Sequence, residues 1–130
     1  MKVLIVDDSS LDRSIIKKAL GTRGVEVVEA SSPPAAMELL DTDTDIDAAL
    51  VDMLMPYAVK EGEEPLNGRD VVRKARLSGV QVVAITSMLF LVPQGTPSVE
   101  KGENDFNRSV REMLGLPEQT PVNGVEVVAR

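Results

Sequence analysis

Lys2-Val3-Leu4-Ile5-Val6-Asp7-Asp8 and Ala48-Ala49-Leu50-Val51-Asp52-Met53-Leu54-Met55-Pro56 follow one plan: an unbroken apolar run that ends in carboxylate. Short apolar runs without alternation read as strands buried on both faces, the condition of a parallel sheet covered by helices. In an open α/β sheet, ligands gather outside the carboxyl ends of the strands. Asp7, Asp8 and Asp52 all fall at such ends. Three carboxylates there form a hard, oxygen-rich donor set suited to a divalent cation such as magnesium.

Working outward, strand-like runs alternate with helical patterns, the signature of βαβ units. After the strand Lys2–Val6, Ser9 or Ser10 caps a helix with Asp12 in its first turn and Leu11, Ile15, Ile16, Ala19 and Leu20 at helical spacing. A second strand is expected at Val25–Glu29. A second helix opens at Ser32-Pro33, the acidic stretch Asp41–Asp47 reads as a solvated loop, and a third strand lies at about Ala48–Met53. Asn67 caps a third helix, Gly68–Leu77, ahead of a fourth strand at Val80–Ile85. Pro93, Gly95 and Pro97 argue against a long helix in the apolar Met88–Pro97 segment. Asn104 reads as the cap of a helix over Asp105–Leu114, and Val125–Ala129 as a fifth strand.

The chain has 130 residues, which points to a single domain over 1–130 with a core of its own. With no cysteine and no histidine, disulfides, thiolate or imidazole metal sites and histidine catalysis are all excluded. A formal net charge of −7 disfavours nucleic acid as a partner. The opening apolar run is too short for a signal peptide or a membrane span, so no membrane partner and a cytoplasmic location are expected. Aromatic residues make up 2% of the chain, leaving an aliphatic core.

The strand ending in Asp7-Asp8 with Ser9 after it, the strand ending in Asp52, Met55-Pro56, and the strand ending in Ala84-Ile85-Thr86-Ser87 together resemble the receiver domain of two-component response regulators, the CheY-like superfamily. The resemblance covers roughly the first two-thirds of the chain. It implies a flavodoxin-like α/β fold, a five-stranded parallel sheet of order 2-1-3-4-5. It further implies that Asp52 accepts a phosphoryl group from a sensor histidine kinase or phosphotransfer protein. Asp7, Asp8, Asp52 and the backbone carbonyl of Leu54 would hold Mg²⁺, and Thr86 and Ser87 would bind the phosphoryl group and act as the switch. The output would be a contact with another protein or a second copy. Such a chain is a signalling receiver and not a metabolic enzyme; its chemistry stops at Mg-dependent self-phosphorylation and autodephosphorylation.

The family also carries a lysine just after the fifth strand, usually followed by proline. Three cations compete for that position. Taking Val125–Ala129 as strand five gives Arg130 and leaves no last helix, so that the edge strand and part of the first helix lie uncovered. Aligning Gly102–Phe106 with the approach to strand five gives Arg108 or its neighbour Ser109. Lys101 is the third candidate. Two further departures are the Glu-rich insertion Tyr57–Pro65, which delays Gly68 by several residues and would lie beside Asp52, and Met88–Pro97, which replaces the usual start of helix four. These departures keep open a second function, a phosphorylation-independent pseudo-receiver acting as a protein-binding or dimerisation module. A metal-dependent phosphatase of the haloacid-dehalogenase type is disfavoured because Leu54 stands where its second aspartate belongs, and no nucleotide-binding P-loop is present.

Overall fold

The computed structural model describes residues 1–21, 23–87, 91–102, 104–117, 119–122 and 125–128. The elements run β1 (Lys2–Val6), α1 (Ser10–Leu20), β2 (Glu26–Ala30), α2 (Pro33–Thr42), β3 (Ala48–Asp52), α3 (Gly68–Leu77), β4 (Gln81–Thr86), β5 (Ser98–Glu100), α4 (Phe106–Met113), β6 (Gln119–Val122) and β7 (Val125–Val128). The main sheet has the order β2-β1-β3-β4-β5 with every pairing parallel, as expected.

The apolar runs are apolar throughout because both faces of the sheet are covered. On one face Leu4, Val6, Ala49, Val51, Val82 and Ala84 meet residues of α2 and α3, among them Ala36, Leu40, Val71, Val72 and Ala75. On the other face Val3, Ile5, Leu50, Val83, Ile85 and Val99 meet Ile16, Ala19 and Leu20 of α1 and Phe106 and Val110 of α4. Each fully buried Leu, Ile or Val contributes roughly 1.5–3 kcal/mol relative to exposure, so the central strands β1 and β3 hold the sheet.

Capping follows the sequence closely. The Ser9 side chain accepts from the Asp12 N–H, the Ser32 side chain from the Ala35 N–H, and Asn67 forms a reciprocal capping box with Asp70. Gly68 has a steric reason to be glycine: a Cβ there would lie 2.4 Å from the Asp52 carbonyl oxygen and 2.7 Å from Met53 Cα. Helix α3 therefore starts pressed against the end of β3, and Tyr57–Pro65 loops out without moving that contact. Gly68→Ala is expected to cost about 1–3 kcal/mol, the usual penalty of overpacking, read as a lower urea midpoint at unchanged slope. An unchanged midpoint would mean that the two backbones separate freely.

The last third departs from the sequence reading. The fifth strand is Ser98–Glu100, not Val125–Ala129. Val125–Val128 instead pairs antiparallel with Gln119–Val122 in a separate two-stranded sheet, and Ala129 lies outside the described residues. The last helix, which an edge strand at Val125–Ala129 would have left out, is present in short form: α4 follows β5 and packs beside α1. Phe106, Val110 and Leu114 are buried there, so the uncovered edge strand and first helix expected from that alignment do not occur. The N-cap of α4 is Asp105 and not Asn104, and its side chain makes no capping bond. Asp41 and Thr42 belong to α2, while Asp43 in the acidic stretch pairs with Lys2 at 2.5 Å. No α-helix occurs among the described residues between β4 and β5, in keeping with the prolines and glycine there; Met88, Leu89 and Phe90 lie outside the described residues.

Arg111 of α4 is 3% exposed, the most buried arginine among the described residues. Its Nη1 donates to the carbonyls of Ala19 and Leu20 at 3.2 and 2.6 Å, and its Nε to the carbonyl of Pro117 at 2.6 Å. The last two residues of α1 thus receive from another helix the donors that their own helix cannot supply.

Candidate functional site

The strand register brings the chemistry together. Val6 lies opposite Val51, Asp52 opposite Ile85, and Thr86 opposite Glu100. The residues that follow or end these pairs, Asp7, Asp52, Thr86 and Lys101, therefore sit at the carboxyl ends of four adjacent strands. Asp7, Asp52 and Thr86 are buried; Asp8, one residue on from Asp7, is exposed.

Asp7, Asp8 and Asp52 each offer a carboxylate oxygen, and these oxygens all lie within 4.8 Å of one another. Lys101 joins them. Its Nζ donates to Asp7 Oδ2 at 2.8 Å, to Asp12 Oδ2 at 3.0 Å and to Asp52 Oδ2 at 3.2 Å. Its backbone N–H donates to the Thr86 carbonyl at 3.1 Å, which ties the cation to the end of β4. Of the three cations considered for this place, Lys101 alone is brought to the carboxylates among the described residues. Arg108 is on α4, exposed, and faces Asp105 and Glu112; Ser109 is on the same helix. Arg130 lies outside the described residues.

The remaining oxygens are held by the backbone. Asp7 Oδ1 accepts from the Ser9 N–H at 2.9 Å, and Asp52 Oδ1 from the Leu54 N–H at 3.2 Å. The Arg13 guanidinium donates to the Asp7 carbonyl at 2.6 Å and to Glu29 at 3.0 Å, fixing the end of β1 to the end of β2. Burial pushes the Asp52 carboxyl above its usual range and the Asp7 charge adds to that push, against the pull of the Leu54 N–H and Lys101. Burial works against the Lys101 charge, yet its bonds to Asp7 and Asp12 and the charge of Asp52 raise the ammonium above its ordinary range. One ammonium among Asp7, Asp8, Asp12 and Asp52 leaves an excess of negative charge, and adjacent carboxylates of this kind are relieved by a cation.

Leu54 is exposed beside the site, and Ser87, also exposed, follows Thr86. In the Tyr57–Pro65 segment, the Leu66 N–H donates to the Tyr57 hydroxyl at 2.7 Å; the three glutamates Glu61, Glu63 and Glu64 are exposed. Asp12 is the site residue that sequence reasoning missed. Its local sequence points only to a helix-dipole role in the first turn of α1. The signal was positional: four residues after Asp8, in a first turn whose side chains lean back toward the helix N-terminus and the strand ends.

Comparison with known proteins bears on the family and the fold. The family model for the response regulator receiver domain matches residues 3–89. The chain is 37% identical over 92 residues to the chemotaxis protein CheY1 of Helicobacter pylori, which spans 67% of this chain and 68% of that one. Among solved structures, a response regulator receiver protein from Sinorhizobium medicae superposes with a TM-score of 0.69 at 21% identity, covering 88% of this chain and 94% of the other. The N-terminal domain of a response regulator/sensory box/GGDEF protein from Carboxydothermus hydrogenoformans superposes at 0.68 with 21% identity, covering 88% and 91%. Both structural likenesses bear on the fold.

Proposed function

This chain belongs to the response regulator receiver domain family, and from that premise we propose that it is a working phosphoacceptor, with Asp52 as the residue phosphorylated. The observation that carries the reading is the position of the Lys101 ammonium, in contact with both Asp7 and Asp52 at the mouth of the sheet.

Asp7, Asp8 and Asp52 are oxygen donors of the type that would hold Mg²⁺, and the Leu54 carbonyl would add a further ligand. The ion, when bound, neutralises charge that collects on the transferring phosphoryl oxygens. The protein's own residues do the positioning. An Asp52 carboxylate oxygen forms a bond to phosphorus while the bond from phosphorus to the donor breaks, its electron pair leaving with the donor. Lys101 offers a fixed cation to the oxygens of the arriving group, which is electrostatic preorganisation. The Thr86 and Ser87 hydroxyls offer uncharged donors at the end of β4. A new bond to Thr86 would pull on the strand end that also holds the Lys101 amide, biasing a two-state surface.

The donor is a sensor histidine kinase or a phosphotransfer protein in a cytoplasmic phosphorelay, and the output is a contact with another protein or a second copy. No helix among the described residues is long and apolar enough to cross a membrane. The case for a phosphorylation-independent binding module rests on the lysine position, the Tyr57–Pro65 insertion and the reworked last third, and the Lys101 contacts speak against the first of these.

The test is intact mass spectrometry after incubation with acetyl phosphate. One phosphoryl group is expected in the presence of Mg²⁺ and none with EDTA, and peptide mapping should place it on the fragment containing Asp52. No gain at any Mg²⁺ concentration would overturn the phosphoacceptor reading and leave the binding-module reading standing.

A further inference from the structure

An internal contrast between two helix starts singles out Asp12. In α3, the third helical residue, Asp70, turns back and accepts the N–H of its own N-cap, Asn67, at 2.8 Å. This is the ordinary occupation of an acid at that position. Asp12 stands at the same position of α1, three residues after the N-cap Ser9, and its N–H donates to the Ser9 side chain at 3.2 Å. The return half of the box is not made. The Ser9 N–H donates to Asp7 Oδ1 instead, so the Asp12 carboxylate reaches across to Lys101 Nζ.

An ammonium has three N–H donors. In this structure Lys101 directs them to Asp7, Asp12 and Asp52. A phosphoryl group entering on Asp52 can take one of these donors only by displacing a present acceptor. The Asp7 and Asp52 side chains are 0% and 8% exposed, whereas that of Asp12 is 36% exposed. Released into water, Asp12 is the acceptor whose loss costs least.

We propose that Asp12 is a positioning residue that holds Lys101 in the unphosphorylated site and yields it to the phosphoryl group. The inference rests on the phosphoacceptor reading and adds an exchange step to it. Asp12 competes with the phosphoryl oxygens for one ammonium hydrogen, and its own charge opposes theirs, so its removal favours the phosphoryl-bound state.

The experiment measures beryllofluoride affinity at saturating Mg²⁺ for the wild type, Asp12→Asn, Lys101→Met and the double variant, with thermal melts confirming that each folds. Asp12→Asn should bind the anion about 5–10-fold more tightly, on the scale of one competing charge-assisted hydrogen bond. In the Lys101→Met background the same substitution should change affinity by less than about twofold, since only a screened, solvent-exposed charge is then removed. Wild-type binding with no gain in Asp12→Asn, or an equal gain in both backgrounds, would overturn the exchange while leaving Asp52 phosphorylation standing. No binding to the wild type would instead overturn the phosphoacceptor reading and this inference with it.

Discussion

Asp52→Asn gains no phosphoryl mass from acetyl phosphate and Mg²⁺, Lys101→Ala gains it about a hundredfold more slowly than the wild type, and Arg108→Ala gains it at the wild-type rate within about twofold. The first result follows from chemistry: an amide offers no anionic oxygen to phosphorus. The second follows from geometry. Lys101 is the cation in contact with Asp52, and removing one preorganised donor from a transition-state site typically costs 10²–10³-fold. The third follows from exposure, because the Arg108 side chain is 62% exposed and pairs along its own helix, where ion pairs are worth little. Pseudo-first-order rates from quenched intact-mass time courses separate the three. A Lys101→Ala rate within a few-fold of wild type would show that Lys101 merely neutralises the resting carboxylates.

Arg111→Ala is expected to lower the unfolding free energy by about 3–5 kcal/mol, in the range seen when a buried charge-assisted network loses one side. Three carbonyls lose their donor at once: Ala19, Leu20 and Pro117. Two of them close the last turn of α1, where the helix dipole adds to the attraction for a cation. The aliphatic stem of the arginine also leaves a gap between α1 and α4. A domain of this size has roughly 5–15 kcal/mol in all, so the variant should unfold far earlier in urea or on heating. Arg111→Lys should recover only part of the loss, since a single ammonium cannot serve acceptors on two segments as a planar fork does. If Arg111→Ala is no worse than Arg108→Ala, expected within about 0.5 kcal/mol of wild type, the buried network contributes nothing.

The first two-thirds of the molecule could be read from sequence because its signals are local and strong. Lys2–Val6 and the run into Asp52 are continuous apolar segments, and Gly68–Leu77 carries its own cap in Asn67. Strand β5 could not be read that way. It has three residues, of which only Val99 is buried, too few for any periodicity. The longer, largely apolar run Val125–Ala129 reads as the better strand, although among the described residues Val125–Val128 pairs only with Gln119–Val122. The misplaced strand took the lysine position with it. Lys101 was further disguised by the residue after it: Gly102 has φ +82, a conformation closed to the proline expected there, whose ring holds φ near −65°. Asp12 was hidden for another reason. The Ser9 N–H goes to Asp7, two residues back, which leaves Asp12 outside an ordinary capping box, and the Lys101 that it meets lies 89 residues along the chain, beyond the reach of local sequence.

Among the described residues β5 pairs with β4 alone and lies at the edge of the sheet. An edge segment of three residues is where opening costs least, since few hydrogen bonds and one buried side chain hold it. Lys101 thus follows directly on a three-residue edge strand, and the carboxylates that contact it lie just after β1, in α1 and at the end of β3. Protection of the Lys101 N–H, which donates to the Thr86 carbonyl, is expected to measure how firmly the charges at the mouth are satisfied. A change in the occupancy of the carboxylates is then expected to change the exchange rate of that N–H, with no new resting shape required.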